Sequence, residues 1–512
     1  MADSATEENA DQERNGVAAR VMGWFDSRLG LSYQLLRPAP QYSINPFYWL
    51  GALATVAFVI QGVTGAILLL YYVPSPTQAY ATTQYIFQNV SYGTFLETIH
   101  LYTAYAMIML AFMHLMRGYF VSVHKKPREL MWVTGMVMGF VTLGFGFTGY
   151  LLPWTIVSKS ATDVGIGMMG ALPQPFANFL TFLIVGSGTD AGELLRFYDL
   201  HVLVLPAVLL VLLVVKMYML EAHGVSEPTT GTESLPPKKR KLIPIFPDVS
   251  FYLVELAALF GSAVIIVSVI FPLSLPPEYS ASLAGQYVSQ PDWYFLWMYQ
   301  ILKISAFEEA GLSVALSVVT LIFIVLVLLP FIDRGKTRSI RDRIVYVTLG
   351  AIFAAEVAVL AIWGYLTPGL AIPDETAGLV LGGTALLVTM GSVVAYKAVF
   401  GGLRSIAKGR VPGAPTQPSS VSPKSVSSRS AAIWTSGIFV CLLVAGAYFI
   451  GDSISGVVAL RLGGSGALLS LAVSIVGLSL TVVGTTFLLY RLDLGSGSIR
   501  RRIRVFELGW KE

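Results

Sequence analysis

The sequence is poor in charge. Only 12% of its 512 residues are Asp, Glu, Lys or Arg, against about a quarter in a soluble domain. It has a single cysteine, Cys441, set in an apolar run. A disulfide framework is therefore excluded, and no Cys-X-X-Cys-His string is present. Histidine is scarce too, at five residues. The first 20 residues are polar and acidic and contain no apolar core segment, so no cleaved signal peptide is expected. What the chain has in excess is apolar surface, with 55% hydrophobic residues and a mean hydropathy of +0.68. The net charge of +4 is accounted for by basic loops on one membrane face, so no nucleic-acid partner is implied.

A membrane span needs about 20 mostly apolar residues. Ten segments qualify, at roughly 48–73, 95–122, 131–152, 197–220, 250–272, 311–331, 343–366, 377–399, 432–451 and 467–490. The expected fold is an all-α polytopic membrane protein with about ten transmembrane helices. Basic strings follow the even-numbered spans: "HKKPREL", "PPKKRKL", "DRGKTRSIRDR", "KAVFGGLRSIAKGR" and "SIRRRIR". Loops after odd-numbered spans are poor in Lys and Arg, which places both termini in the cytoplasm of a prokaryotic plasma membrane. Before the first span, "VAARVMGWFDSRLGL" reads as an amphipathic helix lying in the inner interface. The expected organisation is a tail with that helix over 1–46, a four-helix bundle over 47–225 and a cytoplasmic linker over 226–248. A C-terminal membrane part follows over 249–400, then a Pro/Ser-rich linker over 401–430 and an extra hairpin with a basic tail over 431–512.

The second span carries His100 and His114. Fourteen residues of α-helix rise about 21 Å and fall about 40° short of four full turns. The two imidazoles thus share one helix face at opposite depths of the bilayer. Ionisable groups inside a span are functional candidates, and two stacked metal or haem sites would need this arrangement; paired packing histidines are the alternative. Span four begins with His201, which can face His100. Four turns further along stand Val215, Lys216 and Met217, so no histidine faces His114. Glycine repeats the interval: Gly51 and Gly65 in span one, and Gly135 and Gly149 in span three, are each fourteen apart. A planar macrocycle between helices needs backbone without side chains beside it.

These residues, with the strings "QGVTG", "HKKPRELMWVTG", "FTGYLLPW", "LLRFYDLH" and "QPDWYF", resemble cytochrome b of the quinol–cytochrome c reductase family. The likeness runs through about residues 20 to 366 and is nearest to the cytochrome b-six-like branch fused to its C-terminal part. The resemblance implies two haems, of b type or a modified form, in the first four spans. It implies His100 and His201 as ligands of the outer haem and His114 as a ligand of the inner one. Lys216 occupies the place of the fourth ligand, a histidine in the family. It would ligate the iron as a neutral amine, pair with a propionate, or mark a missing inner haem. The branch's covalently attached extra haem needs a cysteine where this chain has Trp49, so no covalent c-type haem is expected.

"QPDWYF" is similar to the outer quinol motif, with Asp292 as proton acceptor, Tyr294 as an orienting group, and Pro291 and Trp293 beside them. A helix-capping role for Asp292 is the bland alternative. Pro153 and Trp154 of "GYLLPW" resemble the cover of that pocket. Arg117 is the candidate for a haem propionate; Lys125, Lys126 and Arg128 would meet propionates or lipid, or serve only as topology signals. His223, Glu221 and Asp26 are titratable groups for an inner quinone site, while Glu255 and Glu356 inside spans receive no role. The implied partners are a Rieske-type iron–sulfur protein, then cytochrome c, a copper protein or terminal oxidase subunits, together with a second copy of the chain and membrane lipids. The implied function is quinol oxidation outside, electron passage through two stacked haems to an inner quinone, and proton translocation. A di-haem anchor of a dehydrogenase or of an oxidase supercomplex, and a transporter without redox groups, are the competing readings.

Overall fold

The computed structural model describes residues 23–28, 38–186, 188–226, 242–284, 290–335, 337–338 and 342–396. The Pro/Ser-rich linker, the last two expected spans, Cys441 and the basic tail lie outside the described residues. Of the expected amphipathic helix, residues 23–28 are described and helical, with Trp24 and Phe25 exposed.

Eight helices among the described residues are long and apolar enough to cross a membrane. They are α1 (Leu50–Leu68), α2 (Gly93–Phe120), α3 (Glu129–Leu151), α4 (Asp190–His223), α5 (Ile245–Ile270), α6 (Leu312–Ile332), α7 (Ile344–Leu366) and α8 (Asp374–Tyr396). In hydrocarbon every backbone polar group must be satisfied within its own segment, which selects helices. Hydroxyls inside these helices follow the same rule. Thr55, Thr64, Thr98, Thr142 and Thr148 each donate to the carbonyl four residues back.

Helix α1 packs on α2, α3 on α4, and α5 on the outside of α2, while α6 leans on α3 and α7 on α8. Helix–helix contact in lipid has no strong hydrophobic drive and depends on close van der Waals fit. The middle of the first four helices is filled accordingly. Ala57, Met107 and Leu209 are buried together, with Phe58, Met138, Val141, Phe145 and Phe260 around them. Met107 is seven residues from His100 and seven from His114. The bundle is thus solid between the His100 and His114 levels.

Two features of α4 have local causes. The helix contains a wide, π-type turn at Leu200–Val204, around His201. Pro206, just after it, has no N–H for the Val202 carbonyl, and widening the turn accommodates the ring. α4 also begins seven residues before its expected start, because Thr189 caps it through the Gly192 N–H.

Among the described residues the chain is all-α as expected, apart from one short strand pair. Pro38–Pro40 (β1) pairs antiparallel with Leu242–Pro244 (β2). The pairing orders the end of the expected 226–248 linker and leads straight into α5.

At the His114 end, the loops α2–α3 and α6–α7 are clamped. His124 Nε2 lies 2.9 Å from Asp333 Oδ2, and Lys125 Nζ lies 3.1 Å from Asp333 Oδ1. Arg343 also pairs with Asp333, and Lys125 donates to the carbonyls of Gly335 and Thr337. Burial alone would raise the Asp333 pKa; the hydrogen bonds from His124 and Lys125 and the Arg343 charge hold it below the ordinary carboxylate value. This corrects the reading of Lys125 as a propionate or lipid contact: its ammonium is spent inside the protein. Trp132 adds an indole bond to the Leu326 carbonyl at 2.8 Å, fixing α6 to α3.

Candidate functional site

The four glycines and the four candidate side chains meet one to one. A Cβ placed on Gly65 would lie 3.3 Å from His100 Cε1, and one on Gly149 would lie 2.5 Å from His201 Cε1. At the other level, a Cβ on Gly51 would lie 3.2 Å from His114 Cε1, and one on Gly135 would lie 3.0 Å from Lys216 Nζ. Each ring or amine therefore rests against bare backbone on a neighbouring helix. Lys216 stands toward Gly135 as His201 stands toward Gly149, so the two levels repeat one arrangement on all four helices.

The two imidazoles at the His100 level could hold one metal ion between them. The two ring centroids are 6.4 Å apart. An imidazole nitrogen sits about 2.0 Å from a bound first-row metal and about 1.1 Å from its own ring centre, so a shared ion needs about 6.2 Å. Both rings are oriented through Nδ1. Thr64 Oγ1 is 2.7 Å from His100 Nδ1, and Thr148 Oγ1 is 3.1 Å from His201 Nδ1. A proton held on Nδ1 by such a contact would leave the Nε2 lone pair for a metal. Gln61 holds the His100 carbonyl. At the His114 level no such threonine serves: His114 Nδ1 is buried and has no hydrogen-bond partner among the described residues.

Near the inner level, Arg117 lies 3.9 Å from the Tyr48 ring centre. Burial raises the Tyr48 pKa, and Arg117 opposes it. Trp49, where the covalent anchor would stand, uses its indole on the Ser43 carbonyl at 2.7 Å. Glu221 and His223 are exposed in the last turn of α4, and the His223 carbonyl accepts from Arg128 at 2.9 Å. Asp26 lies in the helical stretch 23–28 and is half-buried.

Asp292 stands at the start of a short helix, Trp293–Leu302. The capping alternative is corrected by geometry: its side chain makes no cap hydrogen bond. Instead Tyr105 donates to Oδ1 at 2.8 Å and Tyr294 donates to Oδ2 at 3.1 Å. Burial raises the Asp292 pKa, and the two phenols partly offset it. A Cβ on Gly146 would lie 2.7 Å from the Tyr294 hydroxyl, so glycine there makes room for the phenol. Tyr150 of "GYLLPW" is within electrostatic reach of the same carboxyl.

The rest of "GYLLPW" packs against neighbouring segments. Trp154 is buried with Leu151, Leu194 and Phe197. The Tyr279 N–H donates to the Trp154 carbonyl at 3.1 Å, and the Ile156 N–H donates to the Pro277 carbonyl at 2.9 Å. Lys159, in "SKSATD", is buried beneath this bridge, ion-paired with Asp163 and lying 3.5 Å from Asp190 and 3.6 Å from Glu193. Burial opposes its charge, but these three carboxylates hold its pKa above the ordinary value.

Sequence reading missed Thr64, Thr148, Tyr105, Tyr150 and Lys159. For the threonines a signal existed, since Thr precedes Gly65, Gly135 and Gly149 alike. Tyr105 had none, being 187 residues from its partner.

Comparisons with known proteins identify the family. The family model described as "Cytochrome b(N-terminal)/b6/petB" matches residues 105–277, and "Cytochrome b(C-terminal)/b6/petD" matches residues 287–380. A cytochrome bc complex cytochrome b subunit from Chlorobaculum thiosulfatiphilum is 34% identical over 338 residues, covering 64% of this chain and 76% of that protein. A cytochrome b6 from Heliobacterium mobile is 38% identical over 212 residues, 40% of this chain and 100% of that protein. A solved structure titled "Hyperthermophilic respiratory Complex III" shares the fold, with a TM-score of 0.60 at 24% identity, covering 74% of this chain and 99% of that one. With the matched segments spanning more than half of its length and the paired glycines and ligand-type side chains in place, this multi-pass membrane chain belongs to the cytochrome b family.

Proposed function

We propose that this chain is the cytochrome b subunit of a bc-type quinol-oxidising complex and carries two haems, one at each end of its first four helices. The observation that carries the reading is the one-to-one meeting of Gly65, Gly149, Gly51 and Gly135 with His100, His201, His114 and Lys216. His100 and His201 would hold the outer haem; His114 and Lys216 would hold the inner one, with Arg117 near a propionate. Bound haem of the b type found in the family supplies one-electron carriers across the bilayer.

The chain's own residues set the rest. The interval of fourteen residues fixes the two levels about 21 Å apart, and the Met107 and Leu209 layer excludes water between them. Asp292 would accept a quinol proton on the outer side, within a wall of Tyr294, Trp293, Pro291, Pro153 and Trp154. His223 and Asp26 are the titratable candidates for an inner quinone site. A Rieske-type iron–sulfur protein would take the first electron and pass it to cytochrome c, a copper protein or an oxidase, since no cysteine cluster for such a centre exists in this sequence.

The test is quinol-dependent reduction of an electron acceptor by the complex purified through this chain, with and without an outer-site inhibitor. Inhibitor-sensitive turnover with two reducible haem components is expected. Haem reduction without quinol oxidation would favour the anchor reading instead.

The glycine faces give a sharper expectation. In Gly149→Ala the added methyl meets the His201 ring, which the π-type turn and Thr148 hold in place. The outer-haem component of the reduced-minus-oxidised spectrum should be lost or strongly shifted. In Gly135→Ala the methyl meets the Lys216 amine at the other level, so the inner component should shift while the outer one remains. Loss of the same component in both variants would contradict the assignment.

A further inference from the structure

We propose that Tyr105 is a positioning residue of the quinol site, holding Asp292 by a phenol hydrogen bond from the helix that carries His100 and His114. The inference rests on the reading of Asp292 as the quinol proton acceptor. Nothing in the motif "QPDWYF" points to Tyr105, which lies on α2, five residues beyond His100.

The geometry is specific. Each carboxylate oxygen of Asp292 has one phenol donor, Tyr105 on Oδ1 at 2.8 Å and Tyr294 on Oδ2 at 3.1 Å. Tyr294 is two residues away on the same helix and can only orient Asp292 locally. Tyr105 ties it to a different helix. Its ring packs edge-on against both Trp293 and Tyr294, with each centroid 6.1 Å away. An ionised carboxylate offers about four acceptor positions, so two phenols leave room for a substrate hydroxyl. Aspartate is one methylene shorter than the glutamate of the family motif and has less freedom to swing toward a substrate. A fixed donor on α2 makes its placement independent of that reach.

The sign of the effect follows from the groups that face Asp292. These are three phenols, Tyr105 from α2, Tyr150 from α3 and Tyr294 from its own helix. Burial favours the protonated acid, whereas the phenol bonds favour the carboxylate. Removing the Tyr105 hydroxyl takes away one of the two opposing bonds, so the acid form persists to higher pH. A hydrogen bond to a charged group corresponds to about one pH unit.

The experiment is the pH profile of kcat/KM for quinol in the whole complex, for wild type, Tyr105→Phe and Asp292→Asn. The phenylalanine keeps the ring and deletes one oxygen. Its acidic limb should move up by about one pH unit, with a rate about tenfold low below the wild-type limb and recovering on the alkaline side. Infrared difference spectra give a second reading without turnover: the protonated-carboxyl band absent from Asp292→Asn should persist in Tyr105→Phe to a pH about one unit higher than in wild type. An unmoved limb and band, or a Tyr105→Phe complex that fails to assemble its haem spectrum, would overturn the inference and leave Tyr105 a packing residue. An Asp292→Asn complex that oxidises quinol normally would instead remove the underlying site reading.

Discussion

Asp292→Asn should lower quinol oxidation by about a hundredfold or more while both haem spectra stay as in wild type. A positioned general base contributes about 10² to 10⁴ in rate, and asparagine cannot take the proton. The structure makes this substitution a clean one. Asp292 starts the helix Trp293–Leu302 but does not cap it, so the helix does not depend on the charge. The asparagine carbonyl can still accept from Tyr105 or Tyr294, which preserves the packing of Trp293 and Tyr294. KM should change little, because the shape of the pocket survives. Asp292→Glu restores the proton acceptor of the family motif and should retain activity. Steady-state quinol oxidation in the purified complex measures both variants against wild type. A fully active Asp292→Asn would show that the proton leaves by another route.

Lys216→Ala should convert the inner haem from six- to five-coordinate and leave the outer haem unchanged. A metal-bound amine must be neutral, since the ammonium has no lone pair. Lys216 meets the steric condition for that role: its Nζ faces Gly135 on α3 across the same kind of gap in which His201 faces Gly149. Alanine leaves only His114, whose buried Nδ1 has no hydrogen-bond partner among the described residues to orient it, so the inner component should also become less firmly held. Lys216→His should give two bis-imidazole components. Optical and paramagnetic resonance spectra of the oxidised variants separate these outcomes. An inner component unchanged by Lys216→Ala would reject ligation and favour a propionate contact.

The span pattern and the matched spacing of histidines and glycines were legible because both are local and periodic. A fourteen-residue interval returns to nearly the same helix face, so His100 and His114, and each glycine pair, declare their depth without any tertiary information. Apart from the early start of α4, the eight described spans fall within a few residues of their expected limits for the same reason. Contacts between distant segments carry no such period. The Tyr105–Asp292 bond, the His124–Asp333 pair and the bridge from Trp154 to Tyr279 join parts of the chain separated by loops whose course the sequence does not state. Lys125 is the clearest case. In "HKKPREL" it looks like any basic loop residue, and only Asp333, over 200 positions later, shows that its charge is consumed in a buried clamp. The β1–β2 pairing was hidden too, since both strands are short, proline-containing trios without alternation.

In the proposed arrangement, side chains at matched depths on α2 and α4 hold two porphyrins between them. A redox titration of the purified complex, followed in the visible bands with the haem content of this chain quantified, tests it most directly. Two haems on the chain should reduce as separate components, one of them abolished by His201→Ala and the other by His114→Ala. A colourless chain, or a single component that survives both substitutions, would contradict the arrangement.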